Sequence, residues 1–215
     1  VRPVSQYEVE GEPIAATVTT PSDFVDMTPD YFVDYVESTG TQYVDLRVIG
    51  RSGTKVEADF AYLSLGSASG DDLSFMGARA DAGTDSRLMP FHTFRKEATL
   101  GYGKFIYPKN VSPNKVTYIA EGERYALVSD LRAGSQTVSL NGTNAYVAAD
   151  AAAIDTGRNL YLFADNVAGT PRYAAKIRCY GLRISQTDAN GDYRPVRDLV
   201  PCVKDGKGML YDRIE

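Results

Sequence analysis

The chain has 215 residues, 43% of them hydrophobic and 24% charged, with 15 tyrosines, no tryptophan and a net charge of -5. That balance belongs to a folded domain, and an acidic excess with no lysine/arginine cluster to offset it argues against a nucleic-acid partner. The longest apolar run, AADAAAI, is broken by an aspartate and falls far short of the ~20 residues of a membrane-spanning helix. The length suits one all-β domain.

Residues 1–34 hold four of the ten prolines and show little period, so they read as an extension or linker that adds an edge strand through AATVTT. The chain opens on Val1 with no basic leader, as expected of a processed form. Thr28-Pro29-Asp30 carries a helix-start pattern, Thr28 as N-cap and Pro29 at the first helical position, which predicts a short helix ending by Gly40. From Tyr43 onward the period is two. In TKVEADFAYL, Val56, Ala58, Phe60 and Tyr62 share one face while Lys55, Glu57 and Asp59 share the other, the pattern of a half-buried strand. YVDLRVI, LSFMGAR, PFHTFR, FIYP, KVTYIAEG, RYALVSDLR, RNLYLFADN, RYAAKIRCYGLRIS and DYRPVRDLVPCV add further strands. QTVSLNGTNAYVA reads as a hairpin turning at Asn141-Gly142. The expected total is about a dozen strands, enough for a two-sheet sandwich. Residues 145–157 hold alanines for a turn or so of helix but no clean apolar stripe.

The order of these motifs resembles the concanavalin A-like, laminin-G-like jelly-roll modules of large bacterial secreted, cell-surface and phage tail proteins. The likeness runs from about Tyr35 to Asp212, and its most specific parts are YVESTGTQYVD at the start and VRDLVPC with GMLYD at the end. It implies an all-β, two-sheet antiparallel jelly-roll sandwich over 35–215. In it, Glu37 to Thr41 form a turn, the strand beginning at Tyr43 opens the sandwich, and the termini pair in one sheet. The fold brings no fixed ligand with it, because such modules include lectin-like binders, accessories of catalytic domains and structural spacers.

Jelly-roll glycoside hydrolases of the laminarinase-like kind carry E-x-D-x-E or E-x-D-x-x-E, and Glu57 with Asp59 match its first half. Ala61 and Tyr62 stand where the second glutamate belongs, so Glu57 and Asp59 read as a solvated strand face. His92 lies between aromatics with no G-x-S-x-G elbow to serve, and reads as a strand histidine. Cys179 and Cys202 form either one disulfide or two buried thiols. Acidic loops suit calcium, with Asp71 and Asp72 in one and Asp188 and Asp192 in another, although the DANGD stretch lacks the glycine position and distal glutamate of an EF-hand loop. No other cofactor is implied.

The leading expectation is a non-catalytic extracellular recognition module for a glycan or glycosylated surface. Its ligand would be held at a rim by tyrosine faces and polar groups, and the candidates are Arg79, Tyr102, Tyr107, Asp165, Asn166 and Tyr173. The rival expectation is a structural or protein-interaction domain of a larger surface protein, working through an exposed edge strand.

Overall fold

In the computed structural model, which describes residues 6–8, 28–66, 72–81, 87–95, 100–106, 117–148 and 153–214, eighteen strands form two sheets and no residue is helical among those described. The larger sheet holds β1 (Gln6–Glu8), β2 (Tyr31–Phe32), β3 (Val36–Glu37), β5 (Thr54–Tyr62), β10 (Tyr125–Arg132), β11 (Ser135–Leu140), β12 (Thr143–Ala148), β16 (Ile177–Thr187), β17 (Tyr193–Lys204) and β18 (Lys207–Asp212). The other holds β4 (Val44–Arg51), β6 (Asp72–Arg79), β7 (Arg87–Arg95), β8 (Leu100–Ile106), β9 (Thr117–Ala120), β13 (Asp155–Leu162), β14 (Asp165–Val167) and β15 (Thr170–Arg172). The chain is thus an all-β jelly-roll sandwich, antiparallel except where β14 runs parallel to β6.

The alternation in β5 does what its sequence requires. Val56, Phe60 and Tyr62 are buried while Lys55, Glu57 and Asp59 alternate with them on the outer face. Phe60 stacks on Phe75 of β6 with ring centroids 4.5 Å apart, which ties the sheets together at the centre of the core. Each such buried ring contributes roughly 1.5–3 kcal/mol of apolar burial. Asn141 and Gly142 turn the β11–β12 hairpin, both at positive φ, as a type I′ turn demands.

The termini do meet in the larger sheet, where β1 pairs with β18. The expected helix at 28–40 is absent. Asp30 N donates to Val203 O at 2.9 Å, Val33 N to Pro201 O at 3.2 Å and Ser38 N to Ile177 O at 2.9 Å, so the segment takes its backbone partners from distant strands. Those tertiary bonds, with no apolar helical stripe to oppose them, override the local N-cap signal. The short helix considered for 145–157 is likewise absent from the described part, since 145–148 belong to β12 and 155 starts β13. AATVTT lies outside the described residues.

The position of 31–37 decides much of the surface. β16 and β17 pair directly from Leu182↔Leu199 to Thr187↔Tyr193. Beyond that they splay, and the gap is filled: β3 pairs with β16 at Arg178 and Cys179, while β2 pairs with β17 at Cys202 and Val203. The segment is a wedge driven into the larger sheet.

One consequence concerns the cysteines, which are both free and buried. Each lies one strand spacing from the wedge, so their Cα atoms stand about 9–10 Å apart or more, beyond the ~7 Å a disulfide spans. In this structure Cys179 and Cys202 are two separate buried thiols.

Candidate functional site

The opening and closing motifs turn out to be joints. After β3 the chain reverses through Ser38–Gln42, where Gly40 adopts φ 99°, a region open mainly to glycine. The Gln42 Oε1 accepts from Thr39 N at 2.5 Å and Thr39 Oγ1 at 2.7 Å, closing the turn. At the other end Arg197 and Asp212 form a buried ion pair at 3.6 Å. Arg197 Nε also donates to Leu46 O of β4 at 2.9 Å, linking the two sheets, while Asp212 Oδ1 accepts from Asp198 N at 3.0 Å. VRD and YD are therefore two halves of one buried cluster.

The structure brings three of the proposed rim residues together. Past β13 the chain reverses at Phe163, which is buried at φ 68°, and this places Asp165 beside Arg79. Asp165 is fully buried and accepts from Arg79 Nε, and the Arg79 guanidinium lies 5.1 Å from the centroid of the Tyr173 ring. Asn166 is also buried: its Nδ2 donates to Asn159 O at 2.9 Å and its Oδ1 accepts from Gly169 N at 2.8 Å. These contacts give Arg79, Asp165 and Asn166 structural work, and of the group only Tyr173 is exposed. Tyr102 sits on β8 opposite Phe94 and Tyr118, and Tyr107 lies outside the described residues.

The acidic loops divide similarly. Asp188 Oδ1 accepts from Asn190 N at 2.9 Å and Asp192 N at 3.1 Å, and its Oδ2 accepts from Arg194 Nε at 3.1 Å. The Arg194 hydrogen bond, followed by the loop amides, holds the Asp188 carboxyl below its ordinary range. Asp72 begins β6, Asp71 lies outside the described residues, and no cluster of three or more metal-ligating side chains occurs among the described residues. Glu57 is paired with Lys55 at 3.0 Å, and Asp59 accepts from Arg124 Nε at 2.7 Å. His92 sits on β7 opposite Ser74 and Lys104.

The most developed surface lies at the wedge. Phe32 and Tyr31 are 61% and 58% exposed and Tyr35 39%, while Val36 is buried and anchors the segment. Phe32 meets Tyr211 edge to face at 6.0 Å, and Tyr35 meets Tyr180 in the same way at 5.7 Å. Guanidinium groups cap this second pair: Arg178 stands 4.5 Å from the Tyr35 ring centroid and Arg124 4.1 Å from that of Tyr180. Carboxylates fix both arginines, Glu37 accepting from Arg178 at 2.9 Å and Asp59 from Arg124. The result is a row running Asp59, Arg124, Tyr180, Tyr35, Arg178, Glu37 across the outer face. Tyr180 follows Arg178 by two places and so shares its outward face, and the bulge of β16 between Cys179 and Gly181 resets the alternation after it.

Beside this row runs an open groove of about 740 Å³, lined by residues 32–37 together with Gln42, Val203 and Gly208. Its wall joins apolar ring faces to carboxylates and an amide, the mixture that recognises molecules with both C–H faces and hydroxyls. Sequence reasoning missed this site. The signals present were three aromatics within five residues, Tyr31, Phe32 and Tyr35, and a glycine, Gly181, inside a strand pattern.

The sequence matches no family model and no curated protein. Solved structures similar in fold include the NanB sialidase from Streptococcus pneumoniae, at 12% identity and TM-score 0.44 over 74% of this chain and 26% of that one. Another is the Ruminococcus gnavus IT-sialidase CBM40 bound to alpha2,3 sialyllactose, at 13% identity and TM-score 0.43 over 71% of this chain and 89% of that one. A third is the mouse laminin alpha1 chain, domains LG4-5, at 13% identity and TM-score 0.42 over 82% of this chain and 50% of that one. The chain thus spans about a quarter of the sialidase and half of the laminin fragment, and the likeness is one of fold.

Proposed function

We propose that this domain is a non-catalytic extracellular recognition module that binds a saccharide in the groove beside Phe32, Tyr35 and Glu37. The observation that carries the reading is the groove wall itself, where exposed rings stand next to Asp34, Glu37 and Gln42 in a cavity of about 740 Å³. A sugar presents an apolar C–H face and a rim of hydroxyls. The first packs on Phe32 or Tyr35, and the second donates to the carboxylates. Because Tyr35 is already oriented by Arg178 and Tyr180, little side-chain freedom is lost on binding. A shallow, open site of this kind gives weak affinity per copy, raised when several copies are displayed together. The non-catalytic part of the reading is supported by Glu57 and Asp59, which are engaged with Lys55 and Arg124 on a strand face.

The test is a glycan array probed with a tetramerised chain, in parallel with Tyr35→Ala and Phe32→Ala. Reproducible binding to a glycan class, weakened about tenfold by either substitution, is the expected result. Silence from a folded tetramer would overturn the reading and favour a structural or protein-interaction role.

A further inference from the structure

We infer that the groove takes uncharged saccharides and discriminates against acidic ones, an inference that rests on the saccharide reading of the same groove. What carries it is the charge distribution around the cavity. Among the described residues the lining holds two carboxylates, Asp34 and Glu37, and no lysine or arginine.

The described cations at its border are committed elsewhere. Arg178 is paired with Glu37 at 2.9 Å, Lys204 with Asp30 at 3.5 Å, and Arg124 with Asp59 through two hydrogen bonds. Lys207, next to the lining residue Gly208, has a partner within the chain. Lys176 has its stem near Gly40 and is absent from the lining. Asp34 is exposed and forms no ion pair among the described residues, and the Arg124 guanidinium whose charge it feels is hydrogen-bonded to Asp59. Asp34, Asp59 and Glu37 thus outnumber Arg124 and Arg178 and leave a negative excess along the wall of a chain that is itself at -5.

A carboxylated or sulfated sugar seated against Tyr35 would bring its charge close to that of Asp34, with no guanidinium among the described residues free to receive it bidentately. A neutral sugar meets no such opposition. Its hydroxyls are donors, and Asp34 and Glu37 are acceptors with lone pairs to spare. The carboxylates thus serve twice, as hydroxyl acceptors and as a filter against anions.

The experiment titrates the whole chain and its Asp34→Lys variant with neutral oligosaccharides and with uronic acid-containing or sulfated ones of equal length, at low and high salt. The expected result is preference for the neutral series by about tenfold, with neutral binding changing less than about twofold with salt because no net charge is brought together. Asp34→Lys should strengthen acidic-sugar binding at low salt by several-fold, and high salt should erase the gain. Preference of the unaltered chain for the acidic series, or an Asp34→Lys variant with unchanged selectivity, would overturn the inference and leave the saccharide reading standing. Binding of neither series by a folded, multivalent sample would overturn the reading beneath it, and the inference with it.

Discussion

The Arg178 guanidinium lies 4.5 Å from the centroid of the Tyr35 ring while its Nε donates to Glu37 at 2.9 Å. A single side chain therefore backs the exposed ring and holds the residue two places further along the wedge. Both partners come from the segment that fills the gap between β16 and β17, so Arg178 also fastens the wedge to the sheet. Arg178→Ala should leave the denaturation midpoint nearly unchanged, since the pair is exposed and such pairs add little stability. Saccharide binding should weaken by about three- to tenfold as Tyr35 loses its preset orientation, and Arg178→Lys should restore only part of it because an ammonium cannot stack as a planar group. Urea melts and titration of the two variants check this.

The pairing of Arg79 with a fully buried Asp165 sets a different expectation for a residue first marked as a binding candidate. Arg79→Ala would strand the carboxylate without its guanidinium, and removing one partner of a buried pair costs about 3–5 kcal/mol. Urea denaturation should show that loss. Any protein that remains folded should keep its saccharide binding, because the wedge is built from other residues.

Both thiols should be unreactive in the native state. Burial pushes the Cys179 thiol up to about 12, and burial also raises that of Cys202. The thiolate is the reacting species, so at pH 8 a thiol reagent should label neither residue until denaturant is added, when both react. Mass measured with and without reductant should be identical, since the wedge keeps the cysteines apart.

The loop after β16 should depend on acid in a definite direction. The Asp188 carboxyl is held below its ordinary value by Arg194, so the folded form binds its proton less readily than the unfolded chain. Its contribution is therefore complete above the ordinary carboxylate value of about 3.9 and is lost as pH falls through the lower folded value. Side-chain NMR should show Asp188 titrating below the ordinary carboxylate value, and Asp188→Asn should remove the loop's acid transition.

Much of the sandwich could be read from period and turn chemistry. Val56, Phe60 and Tyr62 alternate with charged neighbours as a half-buried strand must, and Asn141-Gly142 turns a hairpin as that dipeptide does elsewhere. The wedge was not legible, because residues 31–37 draw their backbone partners from β16 and β17, some 140 to 170 positions away. A local pattern such as Thr28-Pro29-Asp30 says nothing about such partners, which is why a helix was expected there. The candidate site followed the same logic. Arg79, Asp165 and Tyr173 do converge, yet burial assigns the first two to holding the fold, and burial depends on the neighbouring sheet. Alternation places Tyr180 on the same face as Arg178, yet it could not show that Tyr35, from a segment about 145 positions away, would meet it there.

The most direct test of the account is to follow the ring resonances of the tyrosines and phenylalanines by NMR while titrating the saccharide that the array identifies. The expected result is that Phe32 and Tyr35 shift first and furthest, with Tyr180 following, while Tyr173 stays still. Shifts confined to Tyr173 and the Arg79 rim, with the wedge rings unmoved, would contradict it.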